Sequence, residues 1–466
     1  MVFNSVVFLF GFLPLALLLY YLVPGRLKNA VLLLESLAFY CWTGVQYLPL
    51  IAFLVVFNYI WGVLEELLTR RRPLLLTISV LVNLAALVYF KYANFLIDSL
   101  NSLTQLGIAR LDIGAVLPLG ISYYIFKIIS YQADICSEKI KAEKDPVTFA
   151  AYVLFFPQLI VGPIIKYRDM APQLHNTRDR CTAALAQTGC ELFVFGLAQK
   201  VILADSIGAL WSDIIGTGGV GLAQVSTPLA WLGILAYSLQ LYLDFCGYSW
   251  MAIGVGELLG FRLPRNFEHP YAARSMRDFW RRWHISLSSW FRDYVYIPLG
   301  GSKKGEGRTY LNLLVVWLFT GLWHGSTLNF LLWGLFLFAL ISLERLGWGK
   351  VLRRSQVISR LYMLLVIPLS WMLFAIPSLK DIGSYIGRLF GFSGGTAVHA
   401  RDFLVYGRQY AVVLVIGLLV STPLPEKLWR RIRTSPLETV LLLVLFWVCV
   451  YCMAVATNDP FMYFSF

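Results

Sequence analysis

Apolar runs as long as a bilayer crossing, or nearly so, recur along almost the whole chain, with short polar connections between them. A helical crossing needs about 20 apolar residues. The candidate segments are 6–23, 30–43, 47–64, 73–90, 116–131, 147–165, 185–203, 228–245, 310–340, 357–376, 409–420 and 437–455. In lipid every backbone polar group must be satisfied internally, which makes helices of such runs. Segments 30–43, 116–131 and 409–420 are short for a simple crossing and are expected to be tilted or re-entrant. Irregular backbone at membrane depth is tolerated where it is buried in protein or lines a cavity. That favours a chain that holds a site over a plain anchor. The expectation is an all-α polytopic membrane protein, residues 1–466 forming a single integral membrane domain. It would have about ten to twelve transmembrane helices plus re-entrant and interfacial ones.

Composition agrees. Only 14% of the residues are charged and 58% are hydrophobic, where a soluble chain carries roughly 25% charged residues. The net charge of +13 would raise nucleic-acid binding for a soluble protein. In so apolar a frame it reads as basic loops held on the cytoplasmic side, and no nucleic-acid partner is expected. The N-terminus has no basic leader region and reads as a retained first helix. Cys449 and Cys452 are spaced C-x-x-C inside an apolar run. No second Cys/His pair stands at ligand spacing, so small-residue packing is the reading and no metal site is expected. No internal repeat is visible, which weighs against a transporter.

Arg26 and Lys28 follow the first segment, Arg70–Arg72 the third, and Lys139, Lys141 and Lys144 the fifth. With these loops cytoplasmic, the N-terminus is outside and the first five spans alternate. Lys166 and Arg168 break that pattern unless 147–165 is re-entrant and returns to the same side. Arg430, Arg431 and Arg433 mark another cytoplasmic loop, with Trp429 as an interfacial anchor.

Chemistry concentrates in MRDFWRRWHISLSSWFRDYVYIPLGG, residues 276–301, and in GLWHG, residues 321–325. An ionisable side chain deep in hydrocarbon is costly and marks function by default. His324 lies roughly 21 Å along a helix from Tyr310. Gly321 and Gly325 beside it allow close backbone approach or a break in the helix. A histidine bonded to a neighbouring helix for packing is the competing reading; we read function over it. His284 follows two arginines between tryptophans, in what reads as an interfacial amphipathic helix. In that helix Asp278, Arg281 and His284 stand one turn apart. Arg281 and Arg282 are either lipid-phosphate anchors or a cationic wall for a phosphorylated ligand such as coenzyme A, because guanidinium forks match phosphate. Gln240 and Asp244 stand at i and i+4 in an apolar run. Asp244 either pairs with an arginine or orients a histidine. FFPQLIVGPIIKYRDM, residues 155–170, reads as a broken helix lining a cavity. Lys127, Tyr131 and Asp134 fit either a polar interior or an interfacial position. His175, His269 and His399 fall in polar connections. The G-x-S-x-G match at 391–395 sits in a glycine-rich connection and is treated as coincidence. Without H-E-x-x-H or a phosphate loop, the remaining chemistry is histidine as general base toward a hydroxyl.

RDFWRRWHISLSSWFRDYVYIPLGGS followed by GLWHG resembles the membrane-bound O-acyltransferase (MBOAT) family, and within it the bacterial alginate O-acetyltransferase membrane-subunit branch. The likeness continues through FNSVVFLFGFLP (3–14), LPLGISYYIFKIISYQAD (117–134), FFPQLIVGPI (155–164), LDFCGYSWMAIG (243–254), NFEHPY (266–271) and the tail DPFMYFSF. The resemblance implies an MBOAT-like helical fold around a central tunnel. It implies transfer of acetyl from cytoplasmic acetyl-CoA, with no permanently bound cofactor, to hydroxyls of an extracytoplasmic polysaccharide such as alginate. The transfer would be direct or through a partner, an extracytoplasmic acetyltransferase or SGNH-hydrolase-like protein. The location implied is the bacterial cell membrane, in contact with its lipid. The family's paired polar residues fall on His324, as principal base, and His284, as its companion. Arg281, Arg282, Asp244, Gln240, Tyr131 and Trp323 are the candidate substrate-binding residues. D-alanyl transfer from a carrier protein to teichoic acid is the alternative reaction. A channel or transporter for an envelope precursor is the alternative of another class.

Overall fold

The computed structural model describes residues 1–111, 117–176, 182–216, 221–222, 224–392 and 399–455. Cys181, most of the 391–395 motif and the DPFMYFSF tail lie outside the described residues. Among those described, every regular element is helical. Eight helices are long and apolar enough to cross a membrane: Val45–Leu67, Thr69–Thr104, Ala183–Ile215, Thr227–Leu258, Leu328–Arg354, Gln356–Ala375, Asp402–Val420 and Pro436–Val455. Shorter helices at Phe8–Leu22, Lys28–Gly44 and Ile121–Cys136 accompany them.

Two segments differ from expectation. The short run 409–420 is part of an unbroken 19-residue helix, Asp402–Val420. Arg408 truncates the apolar run in the sequence, yet residues 403–406 before it belong to the same helix. The run 310–340 is two helices, Glu306–His324 and Leu328–Leu343. Gly325 is extended after the first (φ −168°, ψ 169°), and the chain turns back.

The helices differ sharply in burial. Thr227–Leu258 is mostly buried, whereas Asp402–Val420 and Pro436–Val455 have few buried residues. Val412 (70%), Leu418 (60%) and Trp447 (58%) stand open on their surfaces. A patch of that size suits hydrocarbon.

The chain divides into two compact units. The first comprises Met1–Phe193, Ser249–Arg265 and Ser289–Val295, the second the remainder. In the first unit the basic loops gather at one end. Arg72 pairs with Glu138, and Lys139 (3.4 Å) and Arg168 (3.7 Å) share Asp134. Asn29 donates to Thr148 Oγ1 (2.9 Å) and Leu174 O (3.1 Å), which brings the loop after the first helix to the same end. Segment 147–165 therefore leaves and returns on one side, which removes the apparent break in charge alternation. It is a broken helix, with Pro146–Leu154 and Phe156–Leu159 followed by non-helical backbone to Lys166. That backbone is buried and its carbonyls need donors. Gln158 Nε2 donates to Pro163 O (2.8 Å) and the Tyr152 hydroxyl to Ile165 O (3.2 Å). Buried Lys127 donates to Tyr152 O and to Gln158 Oε1 (3.0 Å).

In the second unit a helical hairpin is the main feature. Its open end is held by a bidentate pair from Arg345 to Glu306, at 2.9 and 2.8 Å. A Cβ on Gly321 would stand 2.5 Å from Phe330 O, and one on Gly334 2.4 Å from Trp317 O. These glycines let the two backbones touch.

Candidate active site

The 306–324 helix delivers His324 as its last residue. A Cβ on Gly325 would lie 2.1 Å from the Phe330 ring, so the turn that carries His324 closes tightly against that phenyl. The imidazole is buried (8% exposed) and sits edge-on to Trp333 (5.0 Å) and Phe374 (5.1 Å), with Trp323 at 4.7 Å. Trp333 Nε1 donates to Ser370 Oγ (3.0 Å) and Asn329 Nδ2 to Leu373 O (3.1 Å). The hairpin is thereby fastened to helix Gln356–Ala375. Trp280, Trp317 and Trp371 extend the same aromatic wall.

His284 arrives from a different element. Helix Met276–Arg282 starts at the Ser275 cap, whose Oγ accepts from Asp278 N–H (3.1 Å). Buried Glu344 adds a carboxylate there, accepting from the N–H groups of Met276 (2.6 Å) and Arg277 (3.2 Å). Negative charge at a helix N-terminus satisfies orphan donors and complements the dipole. The helix stops at Arg282. Trp283 is extended, and His284 takes the left-handed conformation at φ 43° before helix Ile285–Phe291. Histidine tolerates that region better than most residues, at a strain of about 1–3 kcal/mol.

Asn266 closes around the strained residue. Its carbonyl accepts from Ile285 N–H (3.0 Å), and its Oδ1 accepts from Ser286 Oγ–H (2.6 Å) and Ser286 N–H (3.3 Å). Glu268 N–H donates to Arg282 O (3.0 Å). Four hydrogen bonds of about 1 kcal/mol each are enough to offset the strain.

The His284 ring is 1% exposed. It meets Phe245 edge-on at 4.8 Å and Trp323 at 6.2 Å. Both histidines thus flank one indole. Neither ring nitrogen of His284 has a hydrogen-bond partner among the described residues. Burial pushes its pKa down to about 3, so the ring is neutral at ordinary pH. A neutral imidazole with unused nitrogens in an apolar enclosure can exchange a proton or a hydrogen bond with a ligand.

The other candidates scatter. Arg281 is exposed. Arg282, rather than Arg281, pairs with Asp278, at 3.0 Å across one turn. That pair has the i,i+4 spacing of helical neighbours, and because the helix ends before His284, His284 does not continue the face of Asp278 and Arg281. Asp244 is buried with a cation, and that cation is Lys200 at 3.3 Å, a residue to which sequence reasoning gave no role. Lys200 also pairs with Asp205. Phe245, next to Asp244, is the residue of that helix that touches His284. The Gln240 amide lies over Gly208, where a Cβ would stand 2.2 Å away. Tyr131 belongs to the first unit, where its hydroxyl accepts from Glu143 N–H (2.8 Å) and its ring packs on Phe149 and Tyr167. Lys127 and Asp134, with Tyr131, are buried there. His175 stands with Nε2 3.0 Å from Glu143; His269 lies 3.6 Å from Glu426; His399 is exposed. Cys449 and Cys452 are free thiols. Trp333, Phe374, Phe245, Glu344 and Asn266 had no role assigned from sequence. Asn266 and Phe245 had a signal, as members of NFEHPY and LDFCGYSWMAIG.

The family model of the membrane-bound O-acyltransferases matches residues 136–380, a range that holds both histidines. The chain is 36% identical over its full length to the probable alginate O-acetylase AlgI of Pseudomonas putida, itself fully covered. It is 41% identical to the protein of the same name from Pseudomonas aeruginosa, over 90% of this chain and 81% of that one. It is 30% identical to the peptidoglycan O-acetyltransferase of Helicobacter pylori, over 100% of this chain and 98% of the relative.

Proposed function

The chain belongs to the membrane-bound O-acyltransferase family and is a multi-pass membrane O-acyltransferase, and from that premise we propose that it acetylates hydroxyls of an extracytoplasmic polysaccharide. The donor is acetyl-CoA on the cytoplasmic side of a bacterial inner membrane. The acceptor is an alginate-like or other envelope polymer, reached directly or through an extracytoplasmic partner protein. The relatives named for alginate and peptidoglycan O-acetylation support this substrate class.

The observation that carries the mechanism is the pair of buried histidines on one tryptophan, His284 with both nitrogens unused. His324 accepts the hydroxyl proton as the oxygen attacks the thioester carbonyl. The tetrahedral intermediate collapses, the C–S bond breaks, and the imidazolium returns its proton to the thiolate. No net proton is gained or lost. His284 stays neutral and serves as hydrogen-bonding companion at the reacting centre. The aromatic wall excludes water, which protects the thioester and strengthens each polar contact.

The test is label transfer from radiolabelled acetyl-CoA by purified protein in detergent, with polymer and partner supplied. We expect coenzyme A release and transfer by the wild type, and loss of both in folded His324→Ala. An unaffected His324→Ala would sink the base assignment. A wild type that ignores acetyl-CoA but takes an acyl carrier protein would replace the donor.

A further inference from the structure

We propose that Asn266 is a positioning residue for His284, acting through the backbone that aims the imidazole. This rests on the reading of His284 given above. His284 is one of five described non-glycine residues at positive φ, and the only one of these that faces the aromatic enclosure with a wholly buried ring. Strain of this kind persists where the surroundings over-determine it. Here the determination comes largely from one residue. Asn266 binds the two residues that follow His284, through its own main chain at Ile285 and its side chain at Ser286. Glu268, two residues on, binds Arg282 on the other side. The segment 266–268 is therefore a splint laid along the break between the two short helices.

The chemistry of the contact suits positioning. Asn266 is 1% exposed. Two donors from Ser286 converge on Oδ1, so the amide has one orientation, with Nδ2 turned away from Ser286. Nδ2 has no hydrogen-bond partner among the described residues. The contact leaves the His284 ring nitrogens free and fixes only where the ring points. A ring moved by about 1 Å loses on the order of a hundredfold in rate, while donor binding elsewhere is untouched.

The experiment uses the full chain in detergent, with single-turnover acetyl transfer (enzyme in excess) for the rate of the chemical step and steady-state turnover for the KM of acetyl-CoA. Asn266→Ala is expected to lower the rate about a hundredfold with the KM for acetyl-CoA within about threefold of wild type. Ser286→Ala, which removes one of the two donors to Oδ1, is expected to lower it by about tenfold or less. The decisive arm repeats both in His284→Ala, where neither should cause further loss, because a residue that acts only through His284 has nothing left to position. An equal loss in that background, or a raised KM in place of a lowered rate, would overturn the proposal. If Asn266→Ala does not fold, Ser286→Ala is judged by the same criterion. His284→Ala at the wild-type rate would overturn the reading of His284 and this inference with it. A crippled His284→Ala beside a fully active Asn266→Ala overturns this inference alone.

Discussion

The two histidines differ in how they are held, and the difference has consequences for single substitutions. His324 is set by the end of a helix and by the rings of Trp323, Trp333 and Phe374, so His324→Ala removes chemistry while leaving the hairpin's glycine contacts intact. A loss of transfer is expected, with folding retained and a melting temperature lowered only by the cavity one buried ring leaves. His284 carries a stability signature of its own. Its folded pKa, about 3, is below the free value of about 6.5. The unfolded chain therefore binds the extra proton first, and as pH falls from about 6.5 toward 3 the folded state loses stability. Above that window the contribution is constant. Thermal melts of wild type and His284→Asn, at pH 7.5 and 5, should show a smaller acid penalty for the variant. Equal penalties would mean that the ring is not buried neutral. Both histidines were legible in the sequence, since ionisable groups are rare in so apolar a chain. Of their aromatic neighbours, Trp323 was singled out and Phe245 lay within a motif, but Trp333 and Phe374 were not legible, because they are ordinary members of apolar runs until the fold brings them to the rings.

Elements explain what single residues do not. The hairpin exists because Gly321 and Gly334 meet, and there is no room for a side chain at either. Gly334→Val should destabilise by about 1–3 kcal/mol or more through overpacking, seen as a lower melting temperature and lost transfer. Gly383 is the control. It lies within helix Leu379–Leu389, and a Cβ there would meet nothing within 4 Å, so Gly383→Ala should hold or raise stability by about 0.5–1 kcal/mol. Glu344 makes the same point for the short helix before His284. Glu344→Ala leaves two N–H groups without an acceptor and should cost about 1–2 kcal/mol. A melting curve superimposable on wild type would refute the capping role. The glycines around His324 were visible in the sequence. That they close a hairpin was hidden, because residues 310–340 read as one continuous apolar run.

Across the molecule, charge placement follows the loops. The connections carrying Arg72, Lys139 and Arg168 lie at one end of the first unit. Single cysteines at Arg70, Lys141 and Asp169 should therefore be labelled from the same side of the membrane, and Asp169 labelled from the opposite side would refute the re-entrant path of 147–165. In the second unit Lys200 and Asp244 are buried together between two membrane helices. Lys200 answers to both Asp244 and Asp205, so Lys200→Met should lower the melting temperature, and adding Asp244→Leu should recover part of the loss. Apolar run length and charge spacing determined the class of this protein by themselves. Backbone polar groups in lipid admit few solutions, and lysine and arginine mark the loops. Motif order within the chain pointed to the two histidines. Only the tertiary structure decided that they share Trp323, that Asp244 answers to Lys200, and that Asn266 splints the turn at His284. These depend on which helix faces meet, and contact between residues far apart in sequence leaves no periodic or compositional trace in a single chain.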